Sequence, residues 1–161
     1  ASTMPYAITL CLDDPAPIQA MLDLLAAEGI ADDVLRLGYR PHVTLGLYED
    51  EATVRARFAA LEAAPVELVV PALGVFPGTP SVLYAAPCPS AALLALHAAC
   101  ASPHPHYRPG AWMPHITLSE AVGDIGPAVA AWRPFRTRCA TVELVRFRPV
   151  VVLATRSLQA G

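Results

Sequence analysis

Apolar residues along this chain alternate with polar ones in short runs, and between those runs they recur at three- and four-residue intervals, so strands and helices take turns. Tyr6 to Leu12 reads as a first strand. Its polar end passes through Asp13-Asp14-Pro15 into a helix in which Ile18, Met21, Leu22 and Leu25 share a face and Gly29 serves as C-cap. A strand over Pro41 to Tyr48 follows, then a helix from Asp50 to Ala63 with Val54, Phe58 and Leu61 on one side. Val66 to Phe76 is a long strand or a bent pair, and Val82 to Ala86 is a short strand after the Pro77-Gly78-Thr79-Pro80 turn. Ser90 caps an Ala/Leu-rich helix ending near Ala101, and a Pro/His-rich loop, Ser102 to Gly110, leads to a strand beginning near Met113. A shorter helical stretch near Ile125 to Trp132 precedes two closing strands, about Arg138 to Arg148 and Val150 to Leu158.

The strand at Pro41 and the strand after Met113 carry the same pattern. Pro41-His42-Val43-Thr44-Leu45 and Pro114-His115-Ile116-Thr117-Leu118 match in the proline, the histidine, the β-branched residue, the threonine and the leucine. Each is followed by a helical stretch and then by a Val-Glu-Leu-Val run, at Val66 to Val69 and at Val142 to Val145. The histidines lie 73 residues apart and the glutamates of the two runs 76, a difference that one loop absorbs, so the chain reads as a duplicated unit. The expected class is α+β or α/β, one domain over residues 4–158 in two similar lobes. No Gly-rich phosphate loop or G-x-G-x-x-G is present, which removes the P-loop and Rossmann readings.

A strand puts residues i and i+2 on one face. His42 and Thr44 therefore point together while Val43 and Leu45 anchor the other side, and His115 and Thr117 repeat this over Ile116 and Leu118. If the lobes face each other, two imidazoles and two hydroxyls converge on one cleft. A neutral histidine there takes a proton from the attacking oxygen, a protonated one gives a proton to the departing oxygen, and the threonines hold a phosphoryl group. A lone strand histidine is ordinarily a half-buried residue bonded to neighbouring backbone; two in matched context point to chemistry. Strict alternation adds Arg40, Tyr48 and Ser119 to the histidine faces. Arg40 is then a phosphate contact, and Tyr48 or Tyr84 a stacking surface for a base. Trp112 either packs beside the second motif strand or touches ligand. His97, Cys100, His104 and His106 contain a metal-ligand chemistry, but Pro103 and Pro105 make that segment a stiff loop, and no metal or other cofactor is expected.

Composition narrows the partners. The 161 residues carry a formal charge of −3 and eleven basic residues, all arginine, too few for a broad polyanion surface but enough for a local phosphate site. No Asp, Glu, Lys or Arg occurs from Leu68 to Tyr107, yet prolines and glycines interrupt the stretch too often for a bilayer span. The N-terminal stretch lacks the basic and apolar regions of a secretory signal, Ala1-Ser2-Thr3 reads as a remnant ahead of Met4, and the cytoplasm is the expected compartment. Cys11, Cys88, Cys100 and Cys139 form no Cys-x-x-Cys and are expected as buried free thiols.

The two motifs, their half-chain separation, the order of elements and the Trp112-x-Pro114-His115-Ile116-Thr117-Leu118 form of the second resemble the 2H phosphoesterase superfamily, which includes bacterial 2′-5′ RNA ligase/cyclic phosphodiesterase proteins. The resemblance implies a bilobal α+β fold of two pseudo-twofold-related antiparallel-sheet lobes, with helices outside and a central cleft. It places His42, Thr44, His115 and Thr117 at catalytic positions. It also implies opening of 2′,3′-cyclic phosphates of nucleotides or short RNA ends, usually leaving a 2′-phosphate, by a monomer without metal. Ligation of 2′-5′ RNA ends, an ADP-ribose cyclic phosphate as substrate, and a nucleotide-binding module without turnover are the alternatives. Ser119-Glu120 stands where ligase-type relatives often carry a basic residue, which speaks against ligation and long RNA.

Overall fold

The computed structural model describes residues 4–159, so Ala1 to Thr3 lie outside the described residues. Nine strands and five helices follow in the order β1 (Tyr6–Cys11), α1 (Ala16–Ala27), α2 (Asp33–Leu37), β2 (His42–Tyr48), α3 (Glu51–Ala59), β3 (Val66–Val70), β4 (Ala72–Phe76), β5 (Ser81–Ala86), α4 (Ala91–Cys100), β6 (Ile116–Val122), α5 (Gly126–Ala131), β7 (Phe135–Cys139), β8 (Thr141–Arg146) and β9 (Val151–Ser157). A 3-10 turn, Pro105–Tyr107, lies in the loop before β6.

All the strand pairings are antiparallel, in sheets ordered β2-β1-β8-β9, β4-β5-β6 and β3-β7. Apart from α2 and β9, the elements repeat: β1, α1, β2, α3, β3, β4 correspond to β5, α4, β6, α5, β7, β8. The order β2-β1-β8 is matched by β6-β5-β4. The last strand of each half, β4 or β8, thus crosses into the other half's sheet, and the strands before them, β3 and β7, pair with each other, Val66 opposite Cys139 and Val70 opposite Phe135.

This exchange corrects the repeat read from the sequence. Val66 to Val69 lie in β3, whose counterpart is β7, whereas Val142 to Val145 lie in β8, the counterpart of β4. The expected strand over Arg138 to Arg148 is likewise two strands broken at Ala140, where the chain changes sheets. There the Ala140 N–H donates to Asp13 Oδ1 at 3.0 Å, the Asp13 N–H donates to the Arg138 carbonyl at 2.9 Å, and the Leu158 N–H donates to the Ala140 carbonyl at 2.7 Å. Pro71, without an N–H, makes the corresponding break between β3 and β4.

The helices follow local signals. Ser90 and Asp50 accept from the amides of Leu93 and Thr53 as N-caps of α4 and α3. Gly29 takes a left-handed φ of 69° just beyond α1. α3 stops at Ala59, short of the expected Ala63, because Arg156 of β9 donates to the Phe58 and Ala59 carbonyls and the chain then turns Leu61 into the core. Ile18, Leu25, Leu45, Leu93, Ile116 and Leu118 are among the fully buried side chains between helices and sheets. Cys100 and Cys139 are buried free thiols, but Cys88 is exposed, since it lies beyond β5 in the Pro87 to Pro89 turn. No helix among the described residues is long and apolar enough to cross a membrane.

Candidate active site

The two motif strands line one cleft of about 720 Å³, and His42, Thr44, His115 and Thr117 all face it. Each strand begins after a proline, which holds the residue before it extended. That places the carbonyl of Arg40 2.5 Å from Nδ1 of His42 and the carbonyl of Met113 2.8 Å from Nδ1 of His115. A carbonyl only accepts, so Nδ1–H donates in both rings and Nε2 is left in both for chemistry. Burial lowers the proton affinity of both imidazoles below the ordinary histidine value. The Arg40 carbonyl offsets this for His42, the charge of His115 adds to it, and Glu143 opposes it; the Met113 carbonyl offsets it for His115.

Both strands depart from simple alternation at the same place. In β2, Thr44 pairs with Thr9 and Gly46 with Ile8, so Leu45 has no partner; in β6, Thr117 pairs with Tyr84 and Ser119 with Leu83, so Leu118 has none. One extra residue reverses the parity of every side chain after it. The residues facing the cleft are therefore 42, 44 and 47 on one strand and 115, 117 and 120 on the other.

This displaces three of the expected ligand contacts. Tyr48 is fully buried on the far face, with its hydroxyl donating to the Cys100 carbonyl. Ser119 is fully buried and donates to Asp33 Oδ1 at 2.8 Å. Tyr84 is buried against Phe76, ring centroids 4.3 Å apart, and presents only an edge contact to His115 at 5.9 Å, so no face is left for a base. Arg40 does line the cleft, with Nη1 3.8 Å from Glu143 Oε2. Trp112 packs rather than lining the cleft, stacked on His97 at 3.9 Å. Among the described residues no group of three or more His, Cys, Asp or Glu side chains is placed to hold a metal ion.

Residues from distant segments complete the cleft. Tyr107 hydrogen-bonds Thr44, and the Tyr107 carbonyl accepts from Nε2 of His97 at 2.7 Å. Burial pushes the Tyr107 hydroxyl up to about 12, so it stays neutral. Arg148, between β8 and β9, donates to Glu120 at 2.8 Å and also bonds Tyr39. Glu143 is nearly inaccessible and accepts from the Cys11 thiol at 3.1 Å. Glu143 left a trace in the sequence, as the charge inside the apolar run Val142 to Val145.

The site can thus offer two imidazole Nε2 atoms and two threonine hydroxyls to one anionic group, with guanidinium and carboxylate groups balanced around it. A family model described as the 2′-5′ RNA ligase superfamily matches residues 55–150, more than half of the chain. E. coli LigT complexed with 3′-AMP superposes with a TM-score of 0.65 at 15% identity, over 98% of both chains. E. coli LigT complexed with NADP+ gives 0.61 at 18% over 98% of this chain and 99% of that one, and a structure described as a phosphoesterase gives 0.60 at 17% over the same shares. No curated protein matches the chain significantly. With the bilobal α+β fold shared along almost its whole length and the family model matched over most of it, the chain belongs to the 2′-5′ RNA ligase superfamily of 2H phosphoesterases.

Proposed function

We propose that the chain is a metal-independent phosphodiesterase that opens 2′,3′-cyclic phosphates of nucleotides or short RNA ends and leaves a 2′-phosphate. The observation that carries this is the matched pair of histidines, each with Nδ1 tied to the carbonyl two residues back and Nε2 left to the same cleft. One neutral imidazole takes a proton from water as its oxygen attacks phosphorus. The P–O3′ bond breaks, and the other imidazole, initially protonated, gives its Nε2 proton to that oxygen. Each role is worth about 10²–10⁴ in rate. Thr44 and Thr117 donate to the non-bridging oxygens as charge grows on them.

The cleft volume suits a mononucleotide or dinucleotide. The complexes of E. coli LigT with 3′-AMP, ATP and NADP+ support a ligand of that size. Since NADP+ carries a phosphate on an ADP-ribose unit, an ADP-ribose cyclic phosphate is a second substrate of the same chemistry. The pairing of Arg40 with Glu143 and Arg148 with Glu120 leaves no unpaired guanidinium among the residues lining the cleft, which favours a small substrate over long RNA or 2′-5′ ligation. Both lobes of the site come from one chain, so a monomer suffices for this chemistry.

The test is hydrolysis of the four 2′,3′-cyclic nucleoside monophosphates and an ADP-ribose cyclic phosphate in EDTA, with phosphate position read by NMR. Turnover lost by more than about 10²-fold in both His42→Ala and His115→Ala is the expected result. Activity that needs added divalent metal, or that survives either substitution, overturns the reading.

A further inference from the structure

The two halves of the chain bury the same stripe on their long helices. In α1 it is Ile18, Met21, Leu22 and Leu25, and in α4, with the same spacing, it is Leu93, Leu96, His97 and Cys100. A histidine thus stands where its counterpart is Leu22. An imidazole costs more to bury than a leucine side chain unless its polar atoms are bonded. His97, 3% exposed, is therefore a polar group that the packing of α4 alone does not call for.

Its partners lie in the loop between α4 and β6. The Nε2–H donates to the Tyr107 carbonyl at 2.7 Å, and the ring lies parallel to that of Trp112 with centroids 3.9 Å apart. The Trp112 Nε1 is buried with no hydrogen-bond partner among the described residues, so the stack, and not a hydrogen bond, holds the indole. Neighbouring backbone bonds are local. The Tyr107 N–H goes to the His104 carbonyl at 2.9 Å, and the Ala111 and Trp112 N–H groups go to the Arg108 carbonyl at 3.0 and 3.1 Å. Ser102 ties the start of the loop to the Leu47 backbone of β2, but Tyr107 lies further along.

Tyr107 faces the cleft, and its hydroxyl bonds Thr44. A threonine hydroxyl has several staggered positions about χ1, and only one aimed into the cleft serves the reaction. A neutral phenol can donate to Thr44 Oγ1 and leave that residue's own proton for a phosphoryl oxygen. On this ground, and resting on the role given to Thr44 above, we propose that His97 is a positioning residue for phosphodiester opening. Bonded to the Tyr107 carbonyl and stacked on Trp112, it fixes the loop so that the Tyr107 hydroxyl aims Thr44 at the bound phosphate. His97 does not itself line the cleft, and its Nε2 is engaged in this bond rather than in a metal site with Cys100, His104 and His106.

The experiment is steady-state kinetics on a 2′,3′-cyclic nucleotide with the wild type, His97→Leu and His97→Gln, each with and without Tyr107→Phe. Leucine is the counterpart residue, fills the stripe and removes the donor; glutamine keeps an N–H donor. In His97→Leu, kcat is expected to fall about two- to twelvefold, the effect of one hydrogen bond, with KM changed less than about twofold, because Thr44 meets charge that grows in the transition state. Glutamine should recover most of that loss. In the Tyr107→Phe background His97→Leu should cost less than about twofold, since the bond it serves is already gone. An unchanged kcat in His97→Leu, an equal loss in both backgrounds, or no recovery with glutamine overturns the proposal. His97→Met, which also lacks a donor, repeats the test should leucine unfold the chain. If the wild type opens no cyclic phosphate, the substrate reading fails by itself. Amide hydrogen exchange then still decides whether His97 holds the loop: exchange at Tyr107, Ala111 and Trp112 should be at least about tenfold faster in His97→Leu and restored in His97→Gln, and unchanged exchange overturns it.

Discussion

The hydroxyl of Ser119 donates to Oδ1 of Asp33 at 2.8 Å, and Oδ2 of the same carboxylate accepts the Glu120 N–H at 2.8 Å. This clamp ties the second motif strand, just past its unpaired Leu118, to helix α2 of the other half of the chain. It spends Ser119 on structure and leaves Glu120 facing the cleft. Asp33→Ala strips a buried hydroxyl and an amide of their acceptor and should cost about 1–3 kcal/mol in urea unfolding. Ser119→Ala leaves Asp33 its backbone partner, so it should cost about 1 kcal/mol and leave kcat/KM within a few-fold. A loss of 10²-fold or more would put the hydroxyl on the substrate instead.

Gly74→Ala should be felt at His115. Its methyl would meet the Tyr84 ring well inside contact distance, and that ring is held between Phe76 and His115. Overpacking of this kind costs about 1–3 kcal/mol. We expect a lower Tm by calorimetry and a fall in kcat larger than the change in KM, since the ring displaced lies beside His115, which exchanges a proton in the proposed mechanism.

Acid should destabilise the fold through its histidines. His42, His97 and His115 all have proton affinities lowered first by burial, the Arg40, Tyr107 and Met113 carbonyls offsetting part of this. The unfolded chain binds these protons more readily, so unfolding free energy rises with pH between the folded and unfolded values. Their contribution is complete above the ordinary histidine value of 6.5 and is lost as pH falls through the lowered folded values. Urea midpoints measured from pH 7.5 downward should drop below pH 6.5, and His97→Gln should flatten part of that drop without moving the activity profile.

Tyr107→Phe removes the hydroxyl that bonds Thr44 and keeps the ring. One hydrogen bond of about 0.5–1.5 kcal/mol predicts a roughly two- to twelvefold loss in kcat/KM, smaller than that of Thr44→Val, whose hydroxyl lines the cleft and in the proposed mechanism meets the phosphoryl group. Steady-state kinetics on the same cyclic nucleotide distinguishes the two.

The exposed Arg148–Glu120 pair should matter little for stability. Its side chains are 52% and 41% exposed at 2.8 Å, and pairs of that exposure are worth about 0–1 kcal/mol. Glu120→Gln should leave Tm nearly unchanged in thermal melts. A higher affinity for substrates with an additional phosphate is expected, because Arg148 is then released to them.

The amino-acid sequence determined by itself what local rules control. Proline-flanked His-x-Thr segments, alternating Val43, Leu45, Ile116 and Leu118, the Ser90 and Asp50 caps and the helical spacing of Ile18 to Leu25 all act within a few residues, and the strands, helices and two histidine-threonine pairs were legible from them. The tertiary structure decided what depends on pairing between distant strands. Leu45 and Leu118 look like any strand leucine until β1 and β5 pair beside them; only that register shows each as an extra residue, sends Tyr48 and Ser119 to the far face and turns Glu120 inward. Likewise, the two Val-Glu-Leu-Val runs are indistinguishable in sequence, but Glu67 lies in the two-stranded sheet opposite Arg138 while Glu143, on the strand that crosses into the other half's sheet, lies in the cleft beside Thr9. A strand's pleat fixes which residues share a face, but which face is buried, and where the count slips, is set by the neighbour it hydrogen-bonds.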